Sequence, residues 1–116
     1  MFQEMLQGGG GGSMKEWKLA GKLTGMSTYP NGISIPSDAQ EIFVLCKNIY
    51  SQVVSKNFPT CALSSEVMYV SDGFYVTSNI NWTVSYELYN TVVVPRDSVV
   101  NGANEVSTLV TKVYYR

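Results

Sequence analysis

Aromatic side chains are the residues of this sequence best suited to chemistry, and the chemistry that they suit is binding. The chain has eight tyrosines and two tryptophans among 116 residues. Each combines a flat apolar ring with a polar edge, which favours stacking on sugars or contact with another protein. We expect ligand contact from Tyr86, Tyr89 and Tyr114, which lie near the ends of predicted strands. The alternative is a structural role, because aromatic residues are common in pleated strands.

The residues on which most catalytic centres depend are absent or isolated. The chain contains no histidine, which removes Ser-His and Cys-His nucleophile pairs, His-ligated zinc and the commonest general base. Local spacing brings no two carboxylates together for glycosidase chemistry, although pairing across the fold stays open. We therefore expect no catalytic residues, no metal and no other cofactor. A small carbohydrate-acting enzyme is the opposing interpretation.

The two cysteines, Cys46 and Cys61, cannot complete a four-ligand structural metal site. A disulfide between them would close a loop of about 15 residues. Cys46 instead ends the apolar run 42–46, where a thiol behaves as a small hydrophobic side chain. We expect both thiols to be free and buried.

The charges are nearly balanced, with eight basic and nine acidic residues and a net charge of −1. They are scattered singly along the chain, whereas capture of nucleic acid or anionic lipid needs clustered Lys and Arg. No apolar run approaches the roughly 20 residues that span a bilayer. The start lacks the features of a signal peptide. We expect a soluble protein without nucleic-acid binding or membrane insertion.

A glycine run divides the chain into three parts. Residues 8–13 read GGGGGS and predict a flexible tether, residues 1–7 form a short peptide, and residues 14–116 form one domain. In a helical turn Phe2, Met5 and Leu6 would share one face, which predicts docking onto a groove of a partner, a neighbouring subunit or the domain itself. The alternatives are a natural disordered tail or a remnant of an engineered expression sequence, since GGGGGS is also a common engineered linker.

The sequence of the domain predicts an all-β fold. Short apolar or alternating runs recur at about ten-residue spacing and no helical period is present, which predicts an antiparallel β-sandwich or barrel. Asp72-Gly73 predicts a two-residue hairpin turn, and Tyr29-Pro30-Asn31-Gly32 and Asn101-Gly102 predict further turns. The predicted strands cover residues 16–23, 33–36, 41–47, 67–70, 74–76, 81–88, 91–94 and 106–115. The predicted core is Trp17, Leu19, Ile42, Val44, Phe74, Val76, Trp82 and Val84.

Two predicted strands are apolar on both faces, which a sandwich does not require. In 41–47 the second apolar face carries Phe43 and Leu45, and in 106–115 we assign Val113 and Tyr115 to a subunit interface. A symmetry mate covering these residues predicts a homo-oligomer, with a trimer favoured over a hexamer or ring. A loop formed by residues 50–63 and lying across the face is the alternative.

The domain resembles small β-rich proteins of phage and prophage tails and the head domains that end some tail fibres. The short start rich in Met, Phe and Gln, followed by a glycine run, is also similar to this group. The matching features, in chain order, are Trp17-Lys18, a glycine at Gly21 or Gly25, Ile35-Pro36, Ala39-Gln40-Glu41-Ile42, Asp72-Gly73-Phe74-Tyr75, Asn101-Gly102 and Val113-Tyr114-Tyr115-Arg116.

This resemblance implies a structural or host-adhesion component of a virion, made in a bacterial cytoplasm, often trimeric and without enzymatic activity. Its partners would be other copies of itself, other tail proteins, and a host surface glycan or protein. A free-standing lectin-like domain that binds carbohydrate or protein is the alternative function.

Overall fold

The computed structural model describes residues 15–76 and 80–116. The predicted docking peptide with Phe2, Met5 and Leu6 and the predicted tether lie outside these residues. The all-β prediction is confirmed, and the only other regular elements within the described ranges are two short 3₁₀ turns, Thr60–Ala62 and Val106–Thr108. The strands are β1 (Lys18–Thr24), β2 (Ile33–Ser34), β3 (Glu41–Lys47), β4 (Val53–Pro59), β5 (Met68–Val76), β6 (Ile80–Leu88), β7 (Val92–Val100), β8 (Ala103–Asn104) and β9 (Val110–Tyr115).

The strands form two antiparallel sheets that pack face to face as a sandwich and do not close into a barrel. The first sheet has the order β1-β9-β3-β4, and the second has the order β2-β7-β6-β5 with β8 beside β7. The last strand therefore pairs with β1 and β3 in the centre of the first sheet. In the second sheet β5, β6, β7 and β8 are consecutive in the chain and only β2 is distant, whereas the first sheet joins β1 and β9 from the two ends of the domain.

The core consists of the inner side of each sheet. Alternate residues of a strand point to opposite faces, so β3 buries Ile42, Val44 and Cys46 while the residues between them face outward. In β6 the same alternation buries Trp82 and Leu88. The indole N–H of Trp82 donates a hydrogen bond of 2.9 Å to Oγ of Ser98, so its polar atom is satisfied inside the core.

Half of the predicted core residues are confirmed as fully buried, namely Ile42, Val44, Trp82 and Val84. The prediction for Leu19 is wrong, because this side chain is 54% exposed. The cause is a β-bulge between Leu19 and Gly21, which reverses the alternation so that Leu19 faces outward and Gly21 faces inward. Trp17, before the bulge, is only partly buried. The side chains of Phe74 and Val76 lie outside the described part of the structure.

The predicted hairpin turn at Asp72-Gly73 is wrong. β5 runs straight through both residues, and Asp72 pairs with Val84 while Gly73 pairs with Thr83. A two-residue turn would have left only a few paired residues on each side, whereas pairing with β6 joins all nine residues of β5. The longer ladder of backbone hydrogen bonds prevails over the local turn preference.

The end of the predicted strand 91–94 and the path of residues 50–63 also differ from the expectations drawn from the sequence. β7 continues through Pro95, where a bulge opposite β6 accommodates a residue that cannot donate a ladder hydrogen bond. The carbonyl of Pro95 instead accepts from the backbone N–H of Ser27 at 3.0 Å. Residues 50–63 do not cross the outer face as a loop, because β4 extends the first sheet at its edge.

The turn at Asn101-Gly102 is confirmed, and both residues have positive φ values of 51° and 82°. It joins β7 to the short β8 of the second sheet rather than leading directly into the last strand. The chain then passes through the 3₁₀ turn Val106–Thr108 into the first sheet. The predicted strand 106–115 is therefore shortened to β9.

We predict that Trp82→Ala destabilises the domain by about 3–5 kcal/mol, because it removes the largest fully buried side chain and leaves Ser98 without its donor. Urea unfolding followed by circular dichroism measures this loss. The control is Leu19→Ala, which removes an exposed side chain and should change the unfolding free energy by less than about 0.5 kcal/mol. Equal losses in the two variants would contradict the assigned strand faces.

Candidate functional site

A group of tyrosines with two charged residues lies on the outer side of the second sheet. We call Tyr29, Tyr69, Tyr89, Glu87 and Arg96 the tyrosine cluster. The rings of Tyr29 and Tyr89 are in contact, with centroids 4.3 Å apart and planes tilted by 38°. Tyr69 pairs across the ladder with Glu87 and is 74% exposed, while Tyr29 is 54% exposed. The cluster thus presents exposed aromatic surface beside a carboxylate and a guanidinium.

Each residue of the cluster is held by a different part of the fold. Tyr69 belongs to β5 and Glu87 to β6, while Arg96 lies at the bulge of β7. Tyr29 lies in the turn before β2, and the backbone N–H of Asn31 donates 2.7 Å to the carbonyl of Thr28 in that turn. Only the packing of the second sheet brings these elements together.

The turn carrying Tyr29 lies tightly against β7. A Cβ atom at Gly32 would come within 2.4 Å of the carbonyl oxygen of Val93, so only glycine allows this approach. Arg96 reaches the same turn, because its Nη1 donates to the carbonyl of Ser27 at 3.4 Å. The position of Tyr29 is therefore set by backbone contacts rather than by its own side chain.

Glu87 is the polar centre of the cluster. The hydroxyl of Tyr89 donates to Oε1 of Glu87 at 3.4 Å, and Nε of Arg96 lies 3.8 Å from Oε2. Partial burial raises the pKa of the Tyr89 phenol, and the negative charge of Glu87 raises it further. The neighbouring phenols of Tyr69 and Tyr29 act in the same direction. Tyr89 therefore remains a neutral hydroxyl throughout the physiological range.

This arrangement is chemically suited to binding. Aromatic faces contact the apolar side of a sugar or a protein side chain, while the hydroxyls, carboxylate and guanidinium offer both donors and acceptors. In the ranges that the structure describes, no group of three His, Cys, Asp or Glu side chains is placed to hold a metal ion. No helix within these ranges is long and apolar enough to cross a membrane.

The predicted ligand-contact residues are separated by the fold. Tyr89 lies in the tyrosine cluster, and Tyr114 lies on the outer face of the first sheet. The prediction for Tyr86 is wrong, because its side chain is buried in the core among inward-facing residues of β6. Sequence reasoning missed Tyr29, Tyr69, Glu87 and Arg96. The alternation of β6 provided a signal, since Glu87 and Tyr86 must face opposite sides.

The predicted subunit-interface residues also divide between two faces. Phe43 and Leu45 lie on the outer side of the first sheet and are partly exposed, as predicted from alternation. Val113 is fully buried in the core, so it cannot contact a second subunit in this structure. Tyr115 has the same parity as Val113, packs against the core and lines an open cleft of about 330 Å³. The four residues do not form one surface.

The outer side of the first sheet carries its own row of aromatic residues. The ring centroid of Phe43 lies 5.7 Å from that of Trp17 and 6.0 Å from that of Tyr114. The guanidinium of Arg116 stacks over Trp17 at 4.2 Å and forms an ion pair of 2.9 Å with Glu41. Phe43 thus lies at the centre of an aromatic row whose Trp17 end is also held by Arg116.

Both cysteines are free, as predicted. Cys46 is buried as expected, but Cys61 is exposed, because it lies in the 3₁₀ turn after β4 and not in a core strand.

Searches against protein-family models, curated proteins and solved structures found no match for this chain.

We predict that Glu87→Gln lowers the pKa of Tyr89 toward its ordinary value near 10, because the variant removes a nearby negative charge. Burial remains, so the pKa should fall only in part. The titration is followed by NMR of tyrosine labelled at Cζ. The control is Asp97→Asn, which removes an exposed carboxylate from β7, outside the cluster, and should leave the pKa of Tyr89 unchanged.

The same raised pKa has a consequence for stability, and its sign is determined by linkage. The folded state holds the Tyr89 proton more tightly than the unfolded chain, so this contribution is complete below the ordinary pKa and is lost as pH rises through the folded value. The alkaline loss of stability should be smaller in Tyr89→Phe. An unchanged alkaline profile in that variant would contradict the raised pKa of Tyr89 in the folded state.

Proposed function

We propose that this chain is a non-enzymatic recognition module of a phage virion, either tail-associated or binding a host receptor. The tyrosine cluster would be its contact surface. The chain would be made in the bacterial cytoplasm and would act on the virion, where its ligand would be a host surface glycan or protein.

The observation that carries this proposal is the exposure of Tyr69 and Tyr29 beside Glu87 and Arg96. Most tyrosines in a small β domain can be explained by strand packing, but Tyr69 is 74% exposed and contributes little to the core. Tyrosine is enriched at the energetic centres of interfaces because its rigid ring provides contact area at low conformational cost. The residues quoted for the phage-tail resemblance support the virion setting.

A free-standing lectin-like domain is the second candidate function. The same cluster favours it, since aromatic rings beside a carboxylate suit sugar recognition equally well. The genes surrounding this one distinguish the two candidates, because neighbouring tail and holin genes favour the virion component. Activity against a polysaccharide panel would favour the carbohydrate-acting enzyme instead.

We predict that Tyr69→Ala weakens binding to the recognised glycan or host envelope fragment by at least about tenfold, which corresponds to about 1.4 kcal/mol. A glycan array and binding to purified envelope fragments identify the target and measure the change. The control is Tyr50→Ala, which removes a tyrosine that is 57% exposed in the β3–β4 turn, away from the cluster. Equal binding by Tyr69→Ala and wild type would contradict the role of the cluster.

Self-association stays a prediction. The expected trimer depended on four residues, of which only Phe43 and Leu45 lie on the outer face of the first sheet. Light scattering during size exclusion measures the oligomeric state directly. A trimer that Phe43→Glu dissociates without unfolding would support this interface.

A further inference from the structure

The basic residues are scattered in the sequence but collected in space. The strands of the first sheet carry five lysines, and the only carboxylate on those strands is Glu41. Glu41 is already bound, since Arg116 lies 2.9 Å from Oε1 and the amide of Asn57 donates to Oε2 at 3.3 Å. The strands of the second sheet carry one basic residue, Arg96. A chain with a net charge of −1 therefore has one strongly basic sheet.

Three of these lysines share the outer face with the aromatic row. Directly paired residues of neighbouring strands lie on the same side of a sheet, so the register defines this surface. We call it the lysine face. From β1 through β9 and β3 to β4, its rows are Leu19, Tyr114, Phe43 and Asn57; Lys22, Lys112, Leu45 and Ser55; and Thr24, Val110, Lys47 and Val53.

The lysine face carries unbalanced charge. Lys22 and Lys112 are direct cross-strand partners, an arrangement in which like charges destabilise a sheet. Within the described residues no carboxylate forms an ion pair with Lys22, Lys47 or Lys112. The repulsion between them would be relieved by an anionic partner lying over the face. The apolar side chains of Leu45 and Phe43 between them would gain burial at the same time.

We propose that the lysine face binds an anionic polysaccharide. The ammonium groups of Lys22, Lys112 and Lys47 would contact its phosphate, sulfate or carboxylate groups, while Phe43 and Leu45 would contact the C–H faces of its sugar rings. This surface lies on the opposite sheet from the tyrosine cluster, so the proposal stands or fails independently of that cluster.

Two other occupants of the face fit the geometry less well. A second copy related by a symmetry axis through the face would place Lys22 and Lys112 against the same lysines. Single-stranded nucleic acid stacks its bases on open ring faces. Here the rings of Trp17 and Phe43 are tilted by 42° and those of Phe43 and Tyr114 by 44°, and Arg116 covers Trp17. Sugar rings need no coplanar platform, because their C–H groups also contact tilted rings and aliphatic side chains.

The test measures binding of the full chain to dextran sulfate, with neutral dextran of the same length as the uncharged reference. We expect binding to dextran sulfate alone, with an affinity that falls as salt rises. The double variant Lys22→Gln/Lys112→Gln should weaken binding by roughly tenfold and reduce the slope of log K against log salt by about two, or one per lysine. Circular dichroism confirms that the variant is folded.

Lys56→Gln is the matched control, because Lys56 is an exposed lysine of the same sheet whose register partner Val44 faces the core side. It should change the affinity less than twofold. Loss of binding equal to that of the double variant would overturn the assignment to the lysine face. Absence of binding to dextran sulfate at low salt would also overturn the proposal.

Two further ligands distinguish the polysaccharide from other anions. Polyphosphate supplies charge without sugar rings and should bind more weakly than dextran sulfate; equal affinity would mean that charge alone is recognised and would overturn the polysaccharide assignment. Tighter binding of oligo-dT would assign the face to nucleic acid instead. Self-association in light scattering that the double variant alters would assign it to a second copy.

Discussion

Burial of the inner side of each sheet is the interaction on which the rest of this structure depends. Trp82 and Val84 from the second sheet pack in one cluster with Ile42 and Val44 from the first, and all four are essentially inaccessible to water. The hydrogen bond from Trp82 to Ser98 allows an indole to lie in this core without an unsatisfied donor. The residues that this core buries determine which residues remain on the outer faces of the two sheets.

Because successive side chains of a strand point to opposite faces, the residues buried in the core determine which residues lie on the outer surfaces. When Ile42 and Val44 turn inward, Phe43 and Leu45 must turn outward, and when Trp82 turns inward Glu87 must turn outward. The outer faces are therefore not free choices of the local sequence. The alternation is reset at a bulge of β1 between Leu19 and Gly21 and at a bulge of β7 at Arg96, and each lies beside one of the candidate binding surfaces.

The two outer surfaces are built differently. The tyrosine cluster combines two turns, two strands and a bulge, and its central carboxylate is bound by neighbours within the cluster. The lysine face is a regular grid on four strands, with Lys22 opposite Lys112 and an aromatic row held at one end by the Arg116–Glu41 pair. In the tyrosine cluster the charges of Glu87 and Arg96 balance, whereas the lysine face carries a net positive charge. The domain thus has two chemically different candidate contact surfaces, one on the outer side of each sheet.

Local sequence patterns correctly predicted the features that depend only on residues close together in the chain. The alternation in β3 and β6 predicted an all-β sandwich and the burial of Ile42 and Trp82, and Asn101-Gly102 predicted a turn with positive φ at both residues. The same reasoning failed where pairing with the next strand of the sheet competed with a local turn preference. Asp72-Gly73 has the composition of a hairpin turn, yet pairing with β6 along all nine residues of β5 outweighs it.

The sequence by itself determined the fold class, the alternating core of the central strands and the absence of histidine chemistry, because each of these is a property of composition or of neighbouring residues. Only the tertiary structure decided which side chains meet. Tyr29 precedes β2 and Tyr69 lies on β5, at opposite edges of the second sheet. They join one cluster because the ring of Tyr29 contacts that of Tyr89, and Tyr69 pairs with Glu87, which accepts from Tyr89. Lysines that are isolated in the sequence become neighbours because β1, β9 and β3 are adjacent in the first sheet. The pairings of β1 and β3 with β9 and of β2 with β7 join strands that are distant in the sequence, and no local pattern encodes them.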